Sequence, residues 1–135
     1  MEKKYEKAIK EIVNEWLKDA EEELKAAKTL LRELPEKSAV HAQQAAEKFL
    51  KAFLAFHNQL IPKTHVIEIL IKKCMKIDED FSNLLTPEII ILTEYYRARY
   101  PPKKLIISQE EAEKAIEIAE KVKNFVLNKL KEKLE

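Results

Sequence analysis

Along the whole chain, apolar residues recur three and four positions apart, the period of one face of an α-helix. The clearest case is Val40–Phe56, where Ala42, Ala45, Ala46, Phe49, Leu50, Phe53, Leu54 and Phe56 keep that spacing. Gln44, Glu47, Lys48 and Lys51 fall opposite, as a polar strip. Each buried Phe or Leu is worth roughly 1.5–3 kcal/mol. The payload of this segment therefore predicts a central helix that the others pack around.

The same period predicts a first helix from about Lys4 to Leu34, through Ile9, Ile12, Val13, Trp16, Leu17, Ala20, Leu24, Ala27 and Leu31, stopped by Pro35. Ser38 is placed to cap the second helix, which runs to about Leu60 before Pro62. Thr64 is placed to cap a third helix carrying Val66, Ile67, Leu70, Ile71, Cys74 and Met75, and Asp78 a short turn through Phe81 and Leu84. Thr86-Pro87 pairs a capping hydroxyl with proline at the first helical position and opens a fourth helix with Ile89, Ile90, Leu92, Tyr95 and Tyr96. Ser108-Gln109-Glu110-Glu111 reads as a capping box for a last helix with Ala112, Ala115, Ile116, Ala119, Val122, Val126 and Leu130 inward. Short connections join these segments, so the expected fold is all-α, an antiparallel four-to-five-helix up-and-down bundle. At 135 residues it is one domain over 1–135.

Composition narrows the function. The chain has no glycine. Phosphate-cradling loops and dinucleotide turns need glycine for positive φ and close backbone approach, so those sites are excluded, and tight hairpin turns are disfavoured. The net charge of +1 gives no global attraction to nucleic acid or membrane. No stretch approaches the roughly 20 apolar residues of a membrane span, and the charged N-terminus has no apolar signal core, so a cytoplasmic protein is expected. Cys74, the single cysteine, lies among apolar positions and reads as a buried thiol.

Candidate chemistry is sparse. His41 and His57 share the second helix 16 positions apart and point away from each other, which rules out a metal pair there. No histidine, cysteine or carboxylate spacing matches a metal site, no serine has a visible base, and no cofactor is implied. The strongest stretch is Tyr95-Tyr96-Arg97-Ala98-Arg99-Tyr100-Pro101-Pro102-Lys103-Lys104, with four cations and no acid before Glu110. Guanidinium forks suit phosphate oxygens and tyrosine faces suit bases. The same residues also fit a plainer arrangement, with the arginines paired to glutamates of the first or last helix and the tyrosines completing the core.

These residues carry a family resemblance. Gln43-Gln44-Ala45-Ala46-Glu47-Lys48-Phe49-Leu50-Lys51-Ala52-Phe53-Leu54 resembles the signature helix of HEPN domains, followed in order by Thr64-His65-Val66-Ile67, Arg99-Tyr100-Pro101 and Ser108–Ala119. The resemblance implies an all-α bundle that forms a homodimer. It implies either a module that binds nucleotide or RNA for a partner minimal nucleotidyltransferase, or a metal-independent RNase toxin with an Arg-x4–6-His motif. No histidine stands five to seven positions beyond Arg32, Arg97 or Arg99, so no catalytic residue is assigned. The expectation is a non-catalytic module that binds nucleotide or nucleic-acid phosphate. Arg97, Arg99 and Tyr100 form its edge, and His65, Lys48 and Lys51 are added from the family match. An RNase toxin, or an assembly module meeting a protein partner through the second helix, are the alternatives.

Overall fold

The computed structural model describes residues 2–99, 101 and 106–134. Five α-helices follow one another, α1 Glu2–Leu30, α2 Pro35–Phe56, α3 Ile67–Met75, α4 Pro87–Tyr95 and α5 Gln109–Leu134. Two short 3-10 turns, Glu79–Leu84 and Tyr96–Arg99, flank α4. The protein is an all-α helical bundle, and no strand occurs among the described residues.

α2 is the central helix, contacting α1, α3, α4, α5 and the Tyr96–Arg99 turn. Phe49, Leu50 and Phe53 are fully buried, with Phe53 tilted against Phe81 at 4.4 Å between ring centroids. Ala39, Ala42, Ala45 and Ala46 of α2, with Ala20 and Ala27 of α1, are all buried and let the two backbones approach closely. α1 runs antiparallel to α2, as Ser38 meets Ala27 and Lys51 meets Trp16. It is also antiparallel to α5, through Lys28–Glu120 and Lys123–Glu21. Residues 57–66 carry the chain back beside α2, so that His65 reaches Glu47 and Cys74 lies at the Leu50 carbonyl.

Several local expectations hold at atomic level. The Ser108 hydroxyl accepts from the Glu111 N–H at 3.1 Å and the Glu111 carboxylate accepts from the Ser108 N–H at 3.3 Å, a reciprocal capping box. The Asp78 carboxylate accepts from the Asp80 N–H and starts the first 3-10 turn, and Pro87 opens α4, with Thr86 at the N-cap position but its hydroxyl making no cap bond, contrary to expectation. Cys74 is buried, and desolvation pushes its thiol up to about 12.

Others are corrected. α1 ends at Leu30, four residues early, where the chain turns toward Pro35. Ser38 caps nothing. α2 already starts at Pro35, and the buried Ser38 hydroxyl donates to the Ala27 carbonyl at 2.6 Å, pinning α1 to α2. α2 stops at Phe56 rather than Leu60, because Asn58 takes a positive φ of 53° and turns the chain away. Thr64 lies too far upstream to cap α3, and its hydroxyl instead accepts from the Val66 N–H. Ile12, expected on the inner stripe, is 48% exposed. The largest correction concerns the polar strip of α2. Glu47 and Lys51 are 5% and 6% exposed, because α2 is packed on nearly all sides and leaves them no path to water.

Candidate functional site

The buried charges of α2 organise a polar cluster with His65, at the end of the α2–α3 return. Glu47 and Lys51 are one turn apart, and Lys51 Nζ donates to Glu47 Oε2 at 2.8 Å. The order Glu then Lys at this spacing is the favourable one on a helix. The ammonium of Lys51 also lies 5.8 Å from the Trp16 ring centroid, a cation–π contact that gives the half-buried indole a polar neighbour. The other oxygen of Glu47, Oε1, accepts from Gln43 Nε2 at 3.4 Å and contacts His65 Nδ1 at 2.8 Å. Gln43 Nε2 also donates to the His65 backbone carbonyl at 2.9 Å, so one side chain holds both the residue and its carboxylate partner. Gln43 is fully buried, and its Oε1 has no hydrogen-bond partner.

The His65 ring lies flat on Tyr96, with centroids 4.1 Å apart and planes 15° from parallel. Its side chain is 45% exposed while its Glu47 partner is 6% exposed, so the imidazole spans the boundary between core and solvent. Tyr96 opens the 3-10 turn that carries Arg97. The floor of this edge is fixed by Thr93, whose hydroxyl donates to Glu68 at 2.6 Å and accepts from the Ile67 N–H at 3.1 Å. Tyr95 points inward, its hydroxyl raised above the ordinary value by burial and then by the nearby Glu111 carboxylate.

The predicted site residues separate into groups. His65 and Lys51 meet on Glu47. Arg97 is next in sequence to Tyr96; its guanidinium is 80% exposed and pairs with Glu94 at 3.4 Å. Such an exposed pair contributes about 0–1 kcal/mol, so it holds the guanidinium only weakly. Lys48 stands in a second cluster, 3.0 Å from Glu23, which also contacts His41 Nδ1 at 2.8 Å. Tyr100, the Arg99 side chain, Lys103 and Lys104 lie outside the described residues. Sequence reasoning passed over Glu47 and Gln43 as site residues, and held Tyr96 only as part of the cationic stretch. The available signal was a Glu-x3-Lys pair inside a segment rich in alanine, phenylalanine and leucine.

Among the described residues no three His, Cys, Asp or Glu side chains gather as a metal ion requires. No described helix is long and apolar enough to cross a membrane. An apolar groove of about 460 Å³ lies between α1 and α5, lined by Val13, Leu17, Phe56, Leu127 and Leu130, and shares no residue with the polar cluster.

The signature helix of the sequence is thus the helix that carries the cluster, and the comparison with known proteins agrees with it. The family model described as "HEPN domain" matches residues 13–131. The chain belongs to the HEPN domain family. A curated protein of Methanocaldococcus jannaschii named "Putative toxin MJ1304" is 33% identical over 135 aligned positions, covering 87% of this chain and 88% of that one. The crystal structure of TT1696 from Thermus thermophilus superposes with a TM-score of 0.72 at 29% identity, covering 87% of this HEPN domain and 97% of the Thermus chain.

Proposed function

We propose that this HEPN domain binds a nucleotide or nucleic-acid phosphate at the edge formed by His65, Tyr96 and the cationic stretch that begins at Arg97. The carrying observation is the His65–Tyr96 stack, which is clamped from below by Glu47 and continues directly into Arg97. Flat aromatic surface beside guanidinium groups suits a base next to a phosphate. Arg97, Arg99 and Tyr100 supply the binding edge and His65 its wall. Lys51 acts by holding Glu47, and Lys48 by holding Glu23 and the α1–α2 contact. The module works without catalysis of its own, as a cytoplasmic homodimer beside a partner nucleotidyltransferase. These last points take their support from the resemblance of the α2 signature to small stand-alone HEPN proteins. Binding is tested by replacing Arg97 and Arg99 together with alanine. Loss of most of the affinity for ATP and for a short single-stranded RNA is expected, and an unchanged affinity refutes the assignment.

A second reading, an RNase toxin, is favoured by the name of the Methanocaldococcus relative. It gives His65, half-exposed and held by a carboxylate, the proton-transfer role that the missing Arg-x4–6-His motif leaves open. This reading requires RNA cleavage by the purified dimer without added metal. Intact RNA over a range of sequences counts against it.

A further inference from the structure

The clamp on His65 fixes which hydrogen bond that residue can offer. Glu47 binds the Lys51 ammonium at 2.8 Å through Oε2 and takes the Gln43 amide through Oε1. An ion-paired carboxylate has no proton to give and only accepts. The 2.8 Å contact between Glu47 Oε1 and His65 Nδ1 therefore requires the proton to be on Nδ1. A neutral imidazole carries one N–H, so Nε2 presents a lone pair. Reversing the ring would break the 2.8 Å bond from Nδ1 to Glu47, while the stack on Tyr96 and the Gln43 bond to the His65 carbonyl hold the ring plane and the backbone. Among the described residues nothing donates to Nε2, and the side chain is open to solvent on 45% of its surface.

A lone pair beside a cationic edge is a specific demand. The phosphodiester or fully ionised ester phosphate of a nucleotide brings only acceptor oxygens, which satisfy Arg97 but meet Nε2 as one acceptor against another. The ligand must carry a donor close to its phosphate. In a nucleotide the donors nearest the phosphate are the ribose hydroxyls. We infer that His65 Nε2 accepts a hydrogen bond from a sugar hydroxyl, so that the site takes nucleotides whose sugar carries a free hydroxyl in preference to dideoxy sugars. The inference rests on the phosphate-binding reading above and deepens it: Arg97 takes the anion, and His65, tuned by Glu47, selects the sugar.

The test combines a spectroscopic and a binding measurement on the full chain. The ¹⁵N spectrum of the His65 ring, in the neutral form, should show the Nδ1-protonated tautomer. AMP should bind about 3–10-fold more tightly than 2′,3′-dideoxy-AMP, the size of one net hydrogen bond. In His65→Phe, which keeps a flat ring on Tyr96 but has no acceptor, the two ligands should bind alike. An Nε2-protonated ring, or equal affinity for AMP and dideoxy-AMP in the unaltered protein, overturns the inference. Equal affinities would leave the phosphate-binding reading standing. Failure of AMP, dideoxy-AMP and inorganic phosphate alike to bind overturns both.

Discussion

Removing the Glu47 carboxylate distinguishes a solvated helix pair from a buried one. Were Glu47 and Lys51 part of an exposed polar strip, Glu47→Ala would cost no more than about 0.5 kcal/mol, the value of an i,i+4 pair in water. In the structure their side chains are 6% and 8% exposed. Glu47→Ala then strands the Lys51 ammonium in the interior and takes the acceptor from His65 Nδ1 and Gln43 Nε2. Breaking a buried pair on one side costs roughly 3–5 kcal/mol. The Trp16 face, 5.8 Å from the ammonium, already contributes in the native protein and offsets little of this loss. Since a domain has about 5–15 kcal/mol of total stability, the shift in a urea titration followed by helical circular dichroism should be large. The double variant Glu47→Ala with Lys51→Met removes both charges and keeps most of the lysine's volume. It should recover about 2–3 kcal/mol relative to the sum of the single losses, a positive coupling of the kind seen between contacting groups. A loss below about 1 kcal/mol for Glu47→Ala, or simple additivity of the two substitutions, refutes the buried-pair argument.

Three further outcomes follow from the same structure. Cys74, with its thiol pushed up to about 12 by burial, should resist a thiol-specific disulfide reagent in the folded protein and react at once in denaturant; fast labelling of the native state refutes its burial. Lys129 is raised above its ordinary 10.5 by hydrogen bonds to Asp80 and Asp78, so the clamp between α5 and the first 3-10 turn is fully present below that value and lost as pH rises beyond it. The stability gap between the unaltered protein and Lys129→Met should hold between about pH 7 and 10 and narrow above it, and a gap that widens with alkali contradicts the sign. Ser108→Ala removes one half of the α5 capping box and should cost about 1 kcal/mol by urea titration, with no loss if the cap is incidental.

Local chemistry was the readable part of this sequence. Ser108 with Glu111, Asp78 with Asp80, and proline at the first position of α4 each specify a helix start through neighbours at most three residues away, and each sits where expected, although the Thr86 hydroxyl makes no cap bond. Phe49 and Phe53 were equally legible, because a helical period with that much aromatic mass has to be buried. What escaped depends on partners far along the chain. Ser38 looked like a cap because serine favours caps, but its hydroxyl found the Ala27 carbonyl on another helix. Glu47 and Lys51 looked solvated because periodicity assigns charge to water; only the packing of α1, α3, α4 and α5 around α2 closes that side. His65 and Tyr96 are 31 positions apart, and nothing local announces their stack. His65 and Lys51 came into view through the family resemblance, and the structure adds the Glu47 and Gln43 that connect them.

The most direct test of the account is a titration of the ¹⁵N-labelled protein with ATP, GTP and a short single-stranded RNA, read as backbone amide shifts at low and moderate salt. Shifts concentrated on His65, Tyr96, Arg97 and Arg99, weakening as salt rises, are the predicted result, since a phosphate contact is screened by added ions. A spectrum unmoved by all three ligands, or shifts gathered on the α1–α5 groove instead, would contradict it.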